Sequence, residues 1–121
     1  MGNTLSERFH ILPEHAAAYL WVSEEDLDKF NYQAGDTEGL VNYGLSIKGV
    51  NLSAFFTERK GEIKISFRSK GTFDVNEFSR KHFEGGGHKN AAGGKSKKSL
   101  HDVIAEFVAL LPQYDSALKL A

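Results

Sequence analysis

Three consecutive glycines followed by histidine, Gly85-Gly86-Gly87-His88, are the residues best suited to chemistry in this chain of 121 residues. Ordering adjacent glycines carries a high entropic cost. Such a run therefore belongs where the backbone needs positive φ or must approach something closely. Successive N–H groups in a loop of this kind can converge on an anion, and phosphate is the natural guest. Lys89 follows directly, and Arg80, Lys81, Lys95, Lys97 and Lys98 supply a positive field around it. Gly93 and Gly94 close the same stretch, so five of the twelve glycines fall between positions 85 and 94. Residues 88–92 are expected to open a helical turn whose N-terminus would reinforce the anion site.

Two better-known phosphate loops do not fit. A Walker-type loop ending at Gly94-Lys95-Ser96 needs glycine at position 89, which is Lys89. A dinucleotide fingerprint matches at Gly85 and Gly87 but needs glycine where Asn90 stands. There is no His-Glu-x-x-His zinc pattern either. Taken singly, the glycine run could be a helix end with a turn, His88 an ordinary loop histidine and Arg68 a solvated strand residue.

The charge distribution favours the functional reading. The net charge is −1, from 15 basic and 16 acidic residues. Residues 59–98 carry 11 basic and 4 acidic side chains, a block of +7 between acidic flanks of −6 and −2. A block of this sign attracts an anion through its local field even in a neutral protein. With no cysteine, disulfides, thiolate metal sites and a cysteine nucleophile are excluded, as suits a cytoplasmic protein. No apolar run approaches the length of a membrane span. The length suits one domain that buries roughly two thirds of its unfolded surface.

The elements that must position these residues can be read from periodicity. Residues 16–22 form a short apolar run, read as a buried strand. Ser23 reads as the cap of a helix carrying Leu27 and Phe30 and ending near Asn31. A second helix is expected from Asp36 or Thr37, ending before Gly49. Val50 to Thr57 and Ile63 to Arg68 alternate around a loop at Arg59-Lys60-Gly61, which makes a hairpin. Asp74 with Glu77 starts a helix that buries Val75, Phe78 and His82 or Phe83. Ser99 caps a final helix with Leu100, Val103, Ile104, Phe107, Val108 and Leu111 at helical spacing, ended by Pro112 and followed by a short helix from Gln113. Trp21 reads as core, and Tyr19, Phe67 and Phe73 as core or near-core rather than as base stackers. The fold class is α/β (α+β), a mixed sheet containing a hairpin and flanked by helices.

Residues 67–94, FRSKGTFDVNEFSRKHFEGGGHKNAAGG, resemble the C-terminal DHH-associated domain of DHH-family phosphoesterases. The likeness lies in Arg-Ser ending a strand, Asp-Val starting a helix, and Gly-Gly-Gly-His-x-x-Ala-Ala-Gly. Residues 36–42 and 49–58 look like the branch of nanoRNase/pAp phosphatases and cyclic-dinucleotide phosphodiesterases, related to RecJ. The resemblance implies that residues 16–121 are a substrate-binding domain and that residues 1–15 are an extension or linker. It implies a separate N-terminal DHH domain as partner, holding two manganese ions that activate water against a phosphate ester. It further implies that Arg68 and Ser69 contact substrate phosphate. Gly85, Gly86, Gly87, His88 and Lys89 would face the active site, with His88 beside the phosphates.

One departure matters. The chain has no Asp-His-His, and its nearest approach, His101-Asp102, lies on the terminal helix. A two-metal centre needs several converging carboxylates and imidazoles. This chain is therefore expected to bind a phosphorylated nucleotide or short oligonucleotide without catalysing hydrolysis, as part of a protein that can form a homodimer through its other domain. The competing readings are a non-catalytic nucleic-acid-binding module and the related domain of alanyl-tRNA synthetases, which aids tRNA binding.

Overall fold

The alternating segments around residue 60 build the centre of the molecule. The computed structural model describes residues 9–26 and 34–120. In chain order the elements are β1 (Phe9–Leu12), β2 (Ala17–Val22), α1 (Ala34–Ser46), β3 (Leu52–Arg59), β4 (Glu62–Ser69), α2 (Val75–His82), β5 (Gly86–His88), β6 (Ala91–Ser96), α3 (Leu100–Leu110) and α4 (Asp115–Leu120). Short 3-10 turns at Pro13–His15 and Leu111–Tyr114 precede β2 and α4. The six strands form one mixed sheet in the order β1-β2-β3-β4-β6-β5. Only β2 and β3 run parallel, and their crossover carries α1, as a parallel pair requires.

The hairpin is tighter than its sequence suggests. Arg59 pairs with Glu62, which leaves a two-residue turn rather than three. Lys60 and Gly61 have φ of 55° and 74°, the doubly positive geometry that matches strand twist in a type I′ turn. β3 also departs from half-buried alternation, because Leu52, Ser53, Ala54, Phe55 and Phe56 are all buried. Helices lie on both faces of this central strand. On one face Ala54, Phe56, Ile65 and Phe67 pack with Val75, Phe78 and Phe83 and with Val103 and Phe107. On the other, Leu20, Val22 and Phe55 pack with Val41 of α1 and with Phe9.

The helix starts follow their caps. Asp74 Oδ1 accepts Glu77 N–H at 3.0 Å and Ser99 Oγ accepts Asp102 N–H at 3.1 Å. Ser23 and Asp26 cap each other reciprocally at 3.0 and 3.2 Å, but the rest of that helix, through Leu27, Phe30 and Asn31, lies outside the described residues. Part of the expected extension belongs to the sheet: Phe9–Leu12 pairs antiparallel with β2. Beyond Pro112 the chain turns into α4, whose Leu118 is fully buried. Asn51 Nδ2 donates to Leu118 O at 2.6 Å, and His15 Nδ1 lies 2.6 Å from Asp115 Oδ1.

Candidate functional site

Most of the glycine run is an edge strand, not an irregular loop. Gly86–His88 pairs antiparallel with β6, and Lys89-Asn90 is the turn between them. No helix opens at residue 91. Two alanines cannot nucleate a helix, whereas pairing with β4 on one side and β5 on the other satisfies the backbone of Ala91–Ser96. A helix does approach the glycines. α2 lies alongside them, its C-terminal end leading into Gly85 and its first turn against Gly87 and Lys89.

The glycines are there for close approach. A Cβ on Gly85 would collide with Gly93 O and Ser79 Oγ, and one on Gly94 would stand 2.8 Å from Ser79 Oγ. Gly87, at φ +157°, would bring its Cβ to 2.8 Å from Ala91 O and 2.9 Å from Ala92 Cα. Helix α2 thus lies almost on the backbone of the β5–β6 hairpin.

Register decides which side chains share a face. Ser53, Arg68, Ala91 and His88 form one row across β3, β4, β6 and β5. The next row is Phe55, Ser66, Gly93 and Gly86, and beyond it Lys64 faces Lys95. Side chains directly opposite one another in a ladder project to the same side, and here that side is opposite the buried Ile65 and Phe67. α1 covers only the near end: Gly44 abuts Ser53, and Ser53 is buried. From Arg68 outward the floor consists of small residues, Ser66, Ala91 and Gly93, bordered by Arg68, Lys64, Lys95 and His88. Arg68 and His88 stand two strands apart, about 10 Å at the backbone.

The expected site residues therefore separate. Arg68 is half-buried and donates from Nη1 to Phe67 O at 2.9 Å, which holds its guanidinium at the row. His88 and Lys89 are exposed, His88 on the row and Lys89 at the turn. Ser69 lies apart from them. It is 4% exposed, and it projects to the other side. Its Oγ donates to Phe73 O at 2.7 Å and accepts from Asn90 Nδ2 at 3.0 Å. A one-residue step along a strand reverses the side-chain direction, so the side chains of Arg68 and Ser69 project to opposite sides of the sheet. Ser69 instead ties the end of β4 to the hairpin turn.

Other residues shape the site without having stood out in the sequence. Asn76 Oδ1 accepts the Gly87 N–H at 2.9 Å, and Ser79 Oγ donates to Gly93 O at 2.6 Å. Val75 N–H donates to Lys89 O at 2.8 Å. Asn90 Nδ2 also reaches Gly71 O at 3.2 Å. The only sequence signal for these was their place beside the glycines. His101 and Asp102 are exposed on α3. Tyr19 and Trp21 are half-buried rather than fully in the core, lining an apolar groove of about 650 Å³ against Leu100, Ile104 and Val108. Burial raises the Tyr19 and Tyr114 phenols above their ordinary value.

Among the described residues no group of three or more His, Asp or Glu side chains could hold a metal ion. The resemblance assigns the manganese pair to the separate DHH domain and not to these residues. Nor is any helix among them long and apolar enough to cross a membrane.

The family model of the DHHA1 domain matches residues 15–115. The chain belongs to the DHHA1 family. This DHHA1 domain is 37% identical over 106 residues to the bifunctional oligoribonuclease and PAP phosphatase NrnA of Bacillus subtilis, covering 86% of this chain and 33% of that protein. It superposes on an exopolyphosphatase-related protein from Bacteroides fragilis with a TM-score of 0.89 and 36% identity, over 97% of this chain and 34% of that one. The C-Ala domain of Aquifex aeolicus alanyl-tRNA synthetase shares the fold alone, with a TM-score of 0.57 and 13% identity over 78% of this chain and 89% of that domain. The chain spans about a third of the NrnA relative.

Proposed function

We propose that this DHHA1 domain grips the substrate of a metal-dependent phosphoesterase that acts on short oligonucleotides, pAp or cyclic dinucleotides. The observation that carries the reading is the open face of β4, β6 and β5. There Arg68 and His88 share one row, beside a floor too small in side chain to obstruct a ligand. A guanidinium held by its neighbour's carbonyl presents fixed charge to a phosphate. His88 at the free edge approaches the same ligand from the far side, and Lys89 adds charge at the turn. Gly85, Gly86 and Gly87 serve by keeping the edge flat and close to α2. In this reading a DHH domain of the same protein brings two manganese ions and the attacking water, and the assembly works in the cytoplasm as a homodimer. The sequence likeness to NrnA supports this branch over the synthetase-like one, whose support is fold alone.

Titration of the 121-residue chain with adenosine 3′,5′-bisphosphate tests the reading. The expected result is weak binding that falls with added salt, is reduced at least tenfold in Arg68→Ala, and is unaccompanied by hydrolysis when manganese is added. Hydrolysis by this chain that disappears in His88→Ala would overturn the division of labour. Selective binding of a tRNA acceptor arm over the bisphosphate would favour the synthetase-like role.

A further inference from the structure

Strand β5 has three residues, lies at the edge of the sheet and contains two successive glycines at φ +155° and +157°. Such a segment has only β6 beside it, and its glycines leave the peptide planes free to rotate. Something must hold it if His88 is to stand at a fixed place on the row. The described residues show one side chain bonded to the backbone of this strand. Asn76 Oδ1 accepts the Gly87 N–H at 2.9 Å. Asn76 sits in the first turn of α2, just after the Asp74 cap. The start of that helix is further fixed to the hairpin turn through Val75 N–H and Lys89 O. An asparagine inside a helix is less favourable than alanine, and here its carboxamide is turned outward to the neighbouring strand.

We infer that Asn76 is a positioning residue for substrate binding. By fixing the Gly86-Gly87-His88 backbone it sets where the His88 imidazole meets the ligand. The inference rests on the proposed phosphate-gripping role of this face. The mechanism is entropic: a strand already ordered by α2 does not have to be ordered by the ligand. Asn76→Ala removes the acceptor and leaves the α2 core residues Val75, Phe78 and Ser79 in place. Asn76→Asp keeps an acceptor oxygen at the same position.

Two measurements on the 121-residue chain test this. The first is amide hydrogen exchange at Gly87 by NMR, which needs no ligand. Gly87 is expected to be protected in the wild type and in Asn76→Asp and to exchange about tenfold faster in Asn76→Ala. Equal exchange in the wild type and Asn76→Ala overturns the inference. The second is the affinity for adenosine 3′,5′-bisphosphate, expected to weaken about fivefold to tenfold in Asn76→Ala. In the His88→Ala background the Asn76→Ala change should have little further effect. Full additivity of the two changes, or unchanged affinity with a deprotected Gly87, overturns the positioning role. If the wild type itself fails to bind the bisphosphate, the proposed function falls, whereas the exchange result still reports on the Asn76 clasp.

Discussion

Arg68 and Ser69 are neighbours in sequence, yet the sheet sends them to opposite sides. Arg68 joins His88 on the open row, and Ser69 is sealed beneath it with Phe73 O and Asn90. The two residues should therefore fail differently. Arg68→Ala is expected to lower the salt dependence of nucleotide binding by about one phosphate contact. Ser69→Ala should instead destabilise the fold by about 1–3 kcal/mol, because it leaves the buried Phe73 O without its donor. A urea titration and a bisphosphate titration on each variant separate the two outcomes. His82 gives a prediction in pH. Burial lowers its pKa below the ordinary 6.5, Lys81 lowers it further, and Glu106 opposes both. The folded protein then binds fewer protons at this site than the unfolded chain, so stability rises with pH through the window. Acidification should remove stability as the pH falls from about 6.5 toward the lower folded value. His82→Gln should flatten that slope in denaturant titrations run at several pH values.

At the scale of elements, the closest fit in the molecule is between α2 and the glycine hairpin. Glycines that look alike in sequence are unlike there. Gly85→Ala must displace the backbone of Gly93 and Gly94, an overpacking expected to cost about 2–3 kcal/mol. Gly39→Ala in α1 meets nothing within 4 Å and should stabilise by about 0.5–1 kcal/mol, because alanine loses less backbone entropy in a helix. Chemical denaturation of the two variants should show shifts of opposite sign. A Gly85→Ala chain as stable as the wild type would contradict the close approach described for α2. The same contact explains why α2 ends where it does, since Phe83 N–H and Gly85 N–H both return to Ser79 O.

For the whole molecule, the sheet is covered over most of one face and partly on the other. The covered face gathers a cluster of aromatic rings. Phe67, Phe78, Phe83 and Phe107 meet with ring centroids 5.5–6.2 Å apart. α4 helps to close this core, fixed by Asn51 to Leu118 O and by His15 to Asp115, residues a hundred positions apart. Leu118→Ala is therefore expected to cost about 2–5 kcal/mol, as a fully buried leucine does when deleted. A drop of less than about 1 kcal/mol in urea unfolding would mean that α4 is an appendage. On the opposite face α1 stops short of β6 and β5, and that unequal cover leaves Arg68, Lys64, Lys95 and His88 around an open floor.

Local signals carried much of this. The caps at Asp74 and Ser99, the alternation around residue 60 and the period of residues 100–111 each depend on neighbours a few positions away, so they were legible in order. The motif Gly-Gly-Gly-His with Ala-Ala-Gly marked the family and the right region of the chain. The sequence alone could not show that this run is a strand. Its glycines lack an intrinsic preference, and the pairing that orders them is with β6, a strand itself placed by its pairing with the distant β4. It could not place Arg68 and Ser69 on opposite faces relative to His88, because register between distant strands is set by tertiary contacts. Nor could it single out Asn76, whose role depends on an eleven-residue separation closed by the packing of α2 on the hairpin. Residue types and local order determined what chemistry was at hand. Strand pairing and helix packing decided which of those residues meet, because contacts between distant segments form only in the folded chain.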